Sequence, residues 1–215
     1  MRGDRRVLPR AFYARPTLEV TRHLIGKVLV HETRAGLASG VIVETEAYIG
    51  ESDPACHAAP GPTNRNAPLY GPPGFAYVYL NYGIHYLVNA VTEPDGSPAA
   101  VLIRALEPID GEALMRRRRA RGLSRSGSEL SAAELCRGPG NLTRALGIAL
   151  AQNRYDLTGG PLRIEERQLA PREIAWSSRI GIRVGMEAQW RCFAVDSEAV
   201  SGPKRRAVAA VRTAR

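Results

Sequence analysis

A chain of 215 residues with 44% hydrophobic content can bury one sizeable core, and no break in composition divides it, so one domain is expected over residues 1–202 with a basic tail at 203–215. The formal net charge of +9 favours an anionic partner such as nucleic acid, although only Lys27 and Lys204 are lysines among the 30 basic residues, and an arginine codon bias would give the same charge without binding. Three scattered cysteines (Cys56, Cys136, Cys192), no h-region after Met1–Arg10 and no uninterrupted apolar run argue against a disulfide framework, a metal knuckle, secretion and membrane insertion, so a soluble, cytoplasmic protein without metal or cofactor is expected.

Thr17 to Ile25 carries apolar residues at Leu18, Val20, Leu24 and Ile25, the pattern of a short helix ending near Gly26. Lys27–Thr33 reads as a strand that turns through Ala35–Gly36 into a second strand, Val41–Ile49, closed by Gly50. Alternation along this second strand sets Val41, Val43, Thr45, Ala47 and Ile49 on one side and Ile42, Glu44, Glu46 and Tyr48 on the other. Glutamate is depleted in strands, and like charges two positions apart on one face repel. The pair therefore marks either a solvated face, the commoner case for such a stretch alone, or a site that supplies cations. Gly50–Gly74 is long, rich in Pro, Gly and Asn, and contains His57, Thr63, Arg65 and Asn66; such a loop is functional or disordered.

Ala76–Leu80 and Ile84–Val91 alternate on either side of Asn81-Tyr82-Gly83, a hairpin signal that leaves Tyr82 at the tip, either folded back on the strands or covered by a partner. Tyr77 and Tyr79 face one way along the first arm; His85, Leu87, Asn89 and Val91 share a face of the second. Ala100–Leu106 is a further strand with Arg104 between Leu102 and Leu106, where a charge is costly unless a carboxylate of the Glu-bearing strand pairs it. Gly111–Arg121 reads as a helix whose Arg116–Arg119 and Arg121 form a solvated or phosphate-facing side. Ser131 to Glu134 has capping-box spacing, and a helix runs from about Pro139 through Leu146. Tyr155–Glu165 and Glu187–Val200 look like β segments, and Lys204–Arg215 like a disordered tail.

In register along nearly the whole chain, Val43-Glu44-Thr45-Glu46-Ala47-Tyr48, Thr63 with Arg65-Asn66, Gly71-Pro72-Pro73-Gly74, Tyr77-Val78-Tyr79, Tyr82-Gly83, Arg104 to Pro108, Leu135-Cys136 with Gly138-Pro139, and Arg179-Ile180-Gly181 resemble the alkyladenine (3-methyladenine) DNA glycosylase family. The resemblance implies an α+β single domain around a curved, mainly antiparallel sheet, with surrounding helices and a protruding hairpin that inserts into DNA. It also implies hydrolytic removal of alkylated or deaminated purines, such as 3-methyladenine, hypoxanthine or ethenoadenine, from double-stranded DNA by a monomer, as the first step of base excision repair. Residue by residue, Glu46 resembles the general base, Arg104 a group that helps hold the attacking water, and the backbone at Ile180 a further water contact. Tyr48 and Tyr79 would stack on the extruded base, His57 would meet its edge, Asn89 would test the purine 2-position, and Tyr82 would fill the gap in the duplex. Asn81, Leu69 and Gln189 with Cys192 depart from the family pattern, none of them at a catalytic position.

Two other readings start from the same residues. Glu44 and Glu46, ~6.6 Å apart along a strand, stand near the separation of the carboxylates in an inverting glycoside hydrolase. A non-enzymatic nucleic-acid-binding module would explain the charge and the aromatics but not two glutamates facing phosphate.

Overall fold

Residues 6–121, 130–167 and 172–202 are described by the structure, a computed structural model; the tail expected at 203–215 lies outside them. Two short helices, α1 (Arg10–Tyr13) and α2 (Thr17–His23), each follow a proline, whose missing N–H would lack an intrahelical partner there anyway. Strand β1 (Val28–Thr33) turns at Arg34–Ala35 into β2 (Gly36–Ile49), the longest strand. The hairpin β3 (Ala76–Asn81) and β4 (His85–Val91) follows, then β5 (Ala99–Asp110). Helices α3 (Glu112–Ala120), α4 (Ala132–Leu135) and α5 (Pro139–Leu146) precede β6 (Leu162–Glu165), β7 (Ile174–Ser177) and β8 (Arg191–Ala194). β6 and β8 are shorter than the expected segments Tyr155–Glu165 and Glu187–Val200, and β7 is not signalled by the sequence pattern.

All pairings are antiparallel, in the order β3-β4-β5-β2-β1-β6. β2 lies against β5 along nearly its whole length, whereas its other edge is shared: Gly36–Val41 pair β1 and Glu44–Glu46 pair β8, which carries β7. Period-two alternation separates two faces. Val78, Val88, Ala90, Val101 and Ile103 enter a core with Val20 of α2, Leu24 just after it, and Leu142 and Leu146 of α5. Their strand neighbours Tyr77, Tyr79, Leu87, Asn89, Ala100 and Leu102 line a cavity instead.

The alternation expected for β2 is broken. Its pairing with β5 slips between Ser39 and Gly40 and again between Ile42 and Thr45, the signature of β-bulges. Ile42, expected on the glutamate side, joins the main core, while Val41 and Val43 pack with Phe193, the cross-strand partner of Glu44. Beyond the slip Thr45 turns to α2, where its hydroxyl donates to Thr21 O at 2.9 Å. Leu106 likewise falls in the main core rather than beside Arg104. Gly40 permits the irregular approach, since a Cβ there would stand 2.7 Å from Glu107 O.

The arginine run of α3 is largely spent inside the protein. Arg118 donates to Ala145 O and Leu146 O, the orphan carbonyls at the C-terminal end of α5, and Arg119 donates to Leu135 O at the end of α4. Arg116 pairs with Glu112 and reaches Leu130 O. Cationic side chains also suit the negative ends of those helices. Replacing Arg119 by Ala leaves Leu135 O without this donor, so a loss of about 1–3 kcal/mol is expected, read from the midpoint of urea denaturation at unchanged slope.

Candidate active site

The cavity, about 510 Å³, opens between the β3–β5 face, the loop after β2, the start of α5 and the segment around Ile180. Tyr48, His57, Tyr79, Tyr82, Asn89, Arg104 and Ile180 all line it, so seven of the eight side chains or backbone positions singled out in the sequence converge here. Glu46 does not line it. Its exposure is 0%, and it sits one layer back, behind Tyr48, Arg104 and Ile180.

The aromatic lining is fixed by neighbours. His57 meets Tyr79 at 4.4 Å between ring centroids, and Tyr79 leans on Tyr77 at 5.3 Å. The Nδ1 of His57 shares a 2.8 Å hydrogen bond with the Tyr77 hydroxyl. Burial first, and the Arg65 guanidinium second, push the His57 imidazole below its ordinary range, so it is neutral at pH 7. The Asn89 side-chain amide donates to Tyr77 O at 2.9 Å, which sets its orientation on the cross-strand pair Tyr77–Asn89. Within the long loop, Asn66 donates to His57 O and Gly61 O and accepts from Thr63 N, so Thr63 and Asn66 shape the turn that carries His57. The hairpin tip has positive φ at Tyr82 and Gly83, as tight hairpin turns require, and leaves Tyr82 84% exposed rather than folded back. Ile84 beside it, 73% exposed, is a second apolar side chain that sequence reasoning passed over.

Behind the cavity lies a buried charge cluster. Arg104 donates through Nε to Glu44 Oε1 at 3.0 Å and through Nη1 to Glu46 Oε2 at 3.1 Å, the pairing expected for a cation inside a strand. Glu46 also accepts from the Tyr48 hydroxyl at 2.9 Å and from the Ile180 N–H at 2.7 Å. Burial pushes the Glu46 carboxyl above the usual range, opposed by Arg104, Ile180 N–H and the Tyr48 hydroxyl and reinforced by Glu44. A carboxylate so placed takes a proton more readily than a solvated one, which suits a general base.

Glu44 is committed elsewhere. It accepts from Arg104, from Arg191 Nε at 2.6 Å and from Ser201 N at 2.7 Å, with 0% exposure. Arg191 and Ser201 are partners that sequence reasoning missed. The signal existed for Arg191, a lone cation beside Cys192 and Phe193 in an apolar strand, the same anomaly that marks Arg104. Nothing in the sequence marks Ser201. Among the described residues no group of three His, Cys, Asp or Glu side chains gathers as metal ligands would.

Residues 11–198 match the methylpurine-DNA glycosylase family. The chain is 49% identical over 195 residues to a Chlorobium phaeobacteroides protein provisionally named a 3-methyladenine DNA glycosylase, covering 90% of this chain and 94% of that protein. A protein of the same name from Rubrobacter xylanophilus is 52% identical over 188 residues, 85% and 90% of the two chains, and one from Methanocella arvoryzae is 47% identical over 199 residues, 91% and 96%.

Tyr48→Phe keeps the ring and removes one of the donors that lower the Glu46 carboxyl, so the titration of Glu46 should move to higher pH. Carboxyl 13C shifts followed against pH read it; a Glu46 midpoint that stays put would mean the phenol contributes nothing to its ionisation.

Proposed function

The chain belongs to the methylpurine-DNA glycosylase family, and on that premise we propose that its cavity receives a damaged purine turned out of duplex DNA and that Glu46 activates the water that frees it. The protein is a monofunctional DNA glycosylase of base excision repair. A base within the stack cannot be reached at its sugar, so the nucleotide must be extruded and the gap filled. Tyr82, 84% exposed at the tip, supplies the wedge. Tyr48 and Tyr79 stack on the extruded base, a contact worth ~1–3 kcal/mol per base and more for an alkylated purine bearing positive charge. His57 meets the edge of the base and Asn89 tests its 2-position. Every residue named comes from one chain, so a monomer suffices.

The observation that carries the reading is the buried Glu46–Arg104 pair directly behind that aromatic cavity. Water oxygen attacks C1′ of the deoxyribose, the C1′–N bond breaks with its electron pair leaving on the base, and Glu46 accepts the proton that the water sheds. Positive charge grows on the sugar as the bond breaks, and the carboxylate stabilises it. Arg104 favours the anionic form of Glu46 until then, against the effect of burial. The direct Ile180 N–H to Glu46 contact of 2.7 Å must part to admit the water, which then donates to the carboxylate and accepts from the amide. Glu44 takes no part as a second catalytic carboxylate, because two arginines and a backbone amide already occupy it, which disfavours the inverting glycoside hydrolase.

A duplex containing one hypoxanthine tests the reaction. The parent protein should leave an abasic site that alkali cleaves, and Glu46→Gln should lose about 10²–10⁴-fold in single-turnover rate while still binding the duplex. Full activity in that variant would move the base elsewhere; retention of DNA with no cleavage by the parent would support a binding module.

Strand cleavage by the enzyme itself would need an amine to form a Schiff base with the sugar. Among the described residues Lys27 is the only lysine; its Nζ is bonded to Glu166, and it does not line the cavity. Arginine stays protonated and cannot replace it. Borohydride added during turnover should trap no protein–DNA adduct, and a trapped band abolished by Lys27→Ala would overturn the water mechanism.

A further inference from the structure

One ion pair outside the cavity touches more of the site than its sequence position suggests. Arg179 is fully buried and meets Asp53 as a two-pronged fork, Nη1 to Oδ2 at 2.6 Å and Nη2 to Oδ1 at 2.8 Å. The same guanidinium donates to Ala47 O at 3.0 Å, and Asp53 accepts from Ile49 N at 3.2 Å, so the pair grips β2 on both sides of Tyr48. The guanidinium carbon also lies 4.8 Å from the Tyr48 ring centroid and 5.0 Å from that of Trp190. Asp53 further accepts from Ala55 N, two residues before His57. The residue after Arg179 is Ile180, whose N–H meets Glu46.

Of the donors to Glu46, Arg104 is held independently by Glu44 and the Ser201 hydroxyl. The other two, the Tyr48 hydroxyl and the Ile180 N–H, are each one residue from an atom that this ion pair fixes. We propose that Arg179 is a positioning residue, and that its pairing with Asp53 sets the placement of Tyr48 and of the Ile180 N–H against Glu46. The inference rests on the reading of Glu46 as the general base. Only buried groups could be displaced in this way with a cost, because a fork of this geometry inside a protein has few alternative arrangements.

The groups that face Glu46 are Glu44 and Tyr48 from its own strand, Arg104 from β5, Tyr79 from β3, Arg191 from β8 and Arg179 from the segment after β7. Loosening Arg179 leaves Glu44, Arg104, Arg191 and Tyr79 where they stand, since none of them bonds to it. It weakens two hydrogen bonds that favour the ionised carboxylate, so Glu46 becomes harder to ionise, and the acid limb of excision moves to higher pH.

Single-turnover excision of hypoxanthine by Arg179→Lys and Asp53→Asn, measured across pH together with duplex affinity and near-UV circular dichroism, tests this. Arg179→Lys keeps the charge and loses the fork; its rate should fall about 100-fold, with a smaller change in affinity and an acid limb displaced to higher pH. Asp53→Asn should move the limb the same way by less. Acid limbs that coincide with the parent's in both variants, whatever the loss of rate, would leave Arg179 merely structural and overturn the proposal. Should Arg179→Lys not fold, Asp53→Asn decides; if neither folds, the pair is a requirement of the fold and the proposal fails. A parent protein that excises nothing would instead sink the reading of Glu46, which the same experiment measures first.

Discussion

Two glutamates with no solvent exposure stand side by side on β2, and the architecture around them is what makes that tolerable. Desolvating a carboxylate costs several kcal/mol, and removing one partner of a buried pair costs ~3–5 kcal/mol, because the other charge is left uncompensated. The protein answers with two guanidinium groups from different strands, Arg104 of β5 and Arg191 of β8, together with backbone N–H groups from Ile180 and Ser201. β8 and the segment ending at Ser201 are thus bound to β2 by charge as well as by backbone pairing. The cluster has two positive and two negative members, so it is neutral without any solvent.

The two carboxylates consequently diverge in role. Glu44 gives its oxygens to groups that hold strands and the end of the described chain together, and it fixes Arg104 by the Nε edge. Arg104 then presents its Nη1 to Glu46 from a set direction. Glu46 is left with partners that border the cavity, of which a tyrosine hydroxyl and a backbone amide can yield to water without separating an ion pair. On the proposed reading, chemistry at Glu46 therefore does not require the fold to open.

The excess positive charge is less of a DNA-binding surface than composition suggests. Arg118 and Arg119 cap helices, Arg104, Arg179 and Arg191 are buried in ion pairs, and Arg172 is bound to Glu107 and Asp196. Tyr82 and Ile84 stand exposed side by side at the hairpin tip, the apolar feature on which the proposed wedge rests.

Local rules acting over a few residues determined much from the sequence alone. The β3–β4 hairpin follows from alternation around Tyr82-Gly83, because a tight turn needs positive φ and the strands need period two. The pairing of Arg104 with the β2 glutamates follows from the cost of an unpaired buried charge. Tertiary structure alone decided which glutamate meets Tyr48 and Ile180 behind the cavity wall, since the bulges that shift β2 against β5 arise from packing between strands some 60 residues apart, and a slip of one residue reverses every later side chain. It also decided that Glu46 lies beneath the cavity surface rather than on it, and that Asp53, Arg179, Arg191 and Ser201 stand behind the site. Those contacts join segments separated by more than 90 residues, and no local pattern encodes a partner at that distance, because only the folded sheet brings the charges within hydrogen-bonding reach.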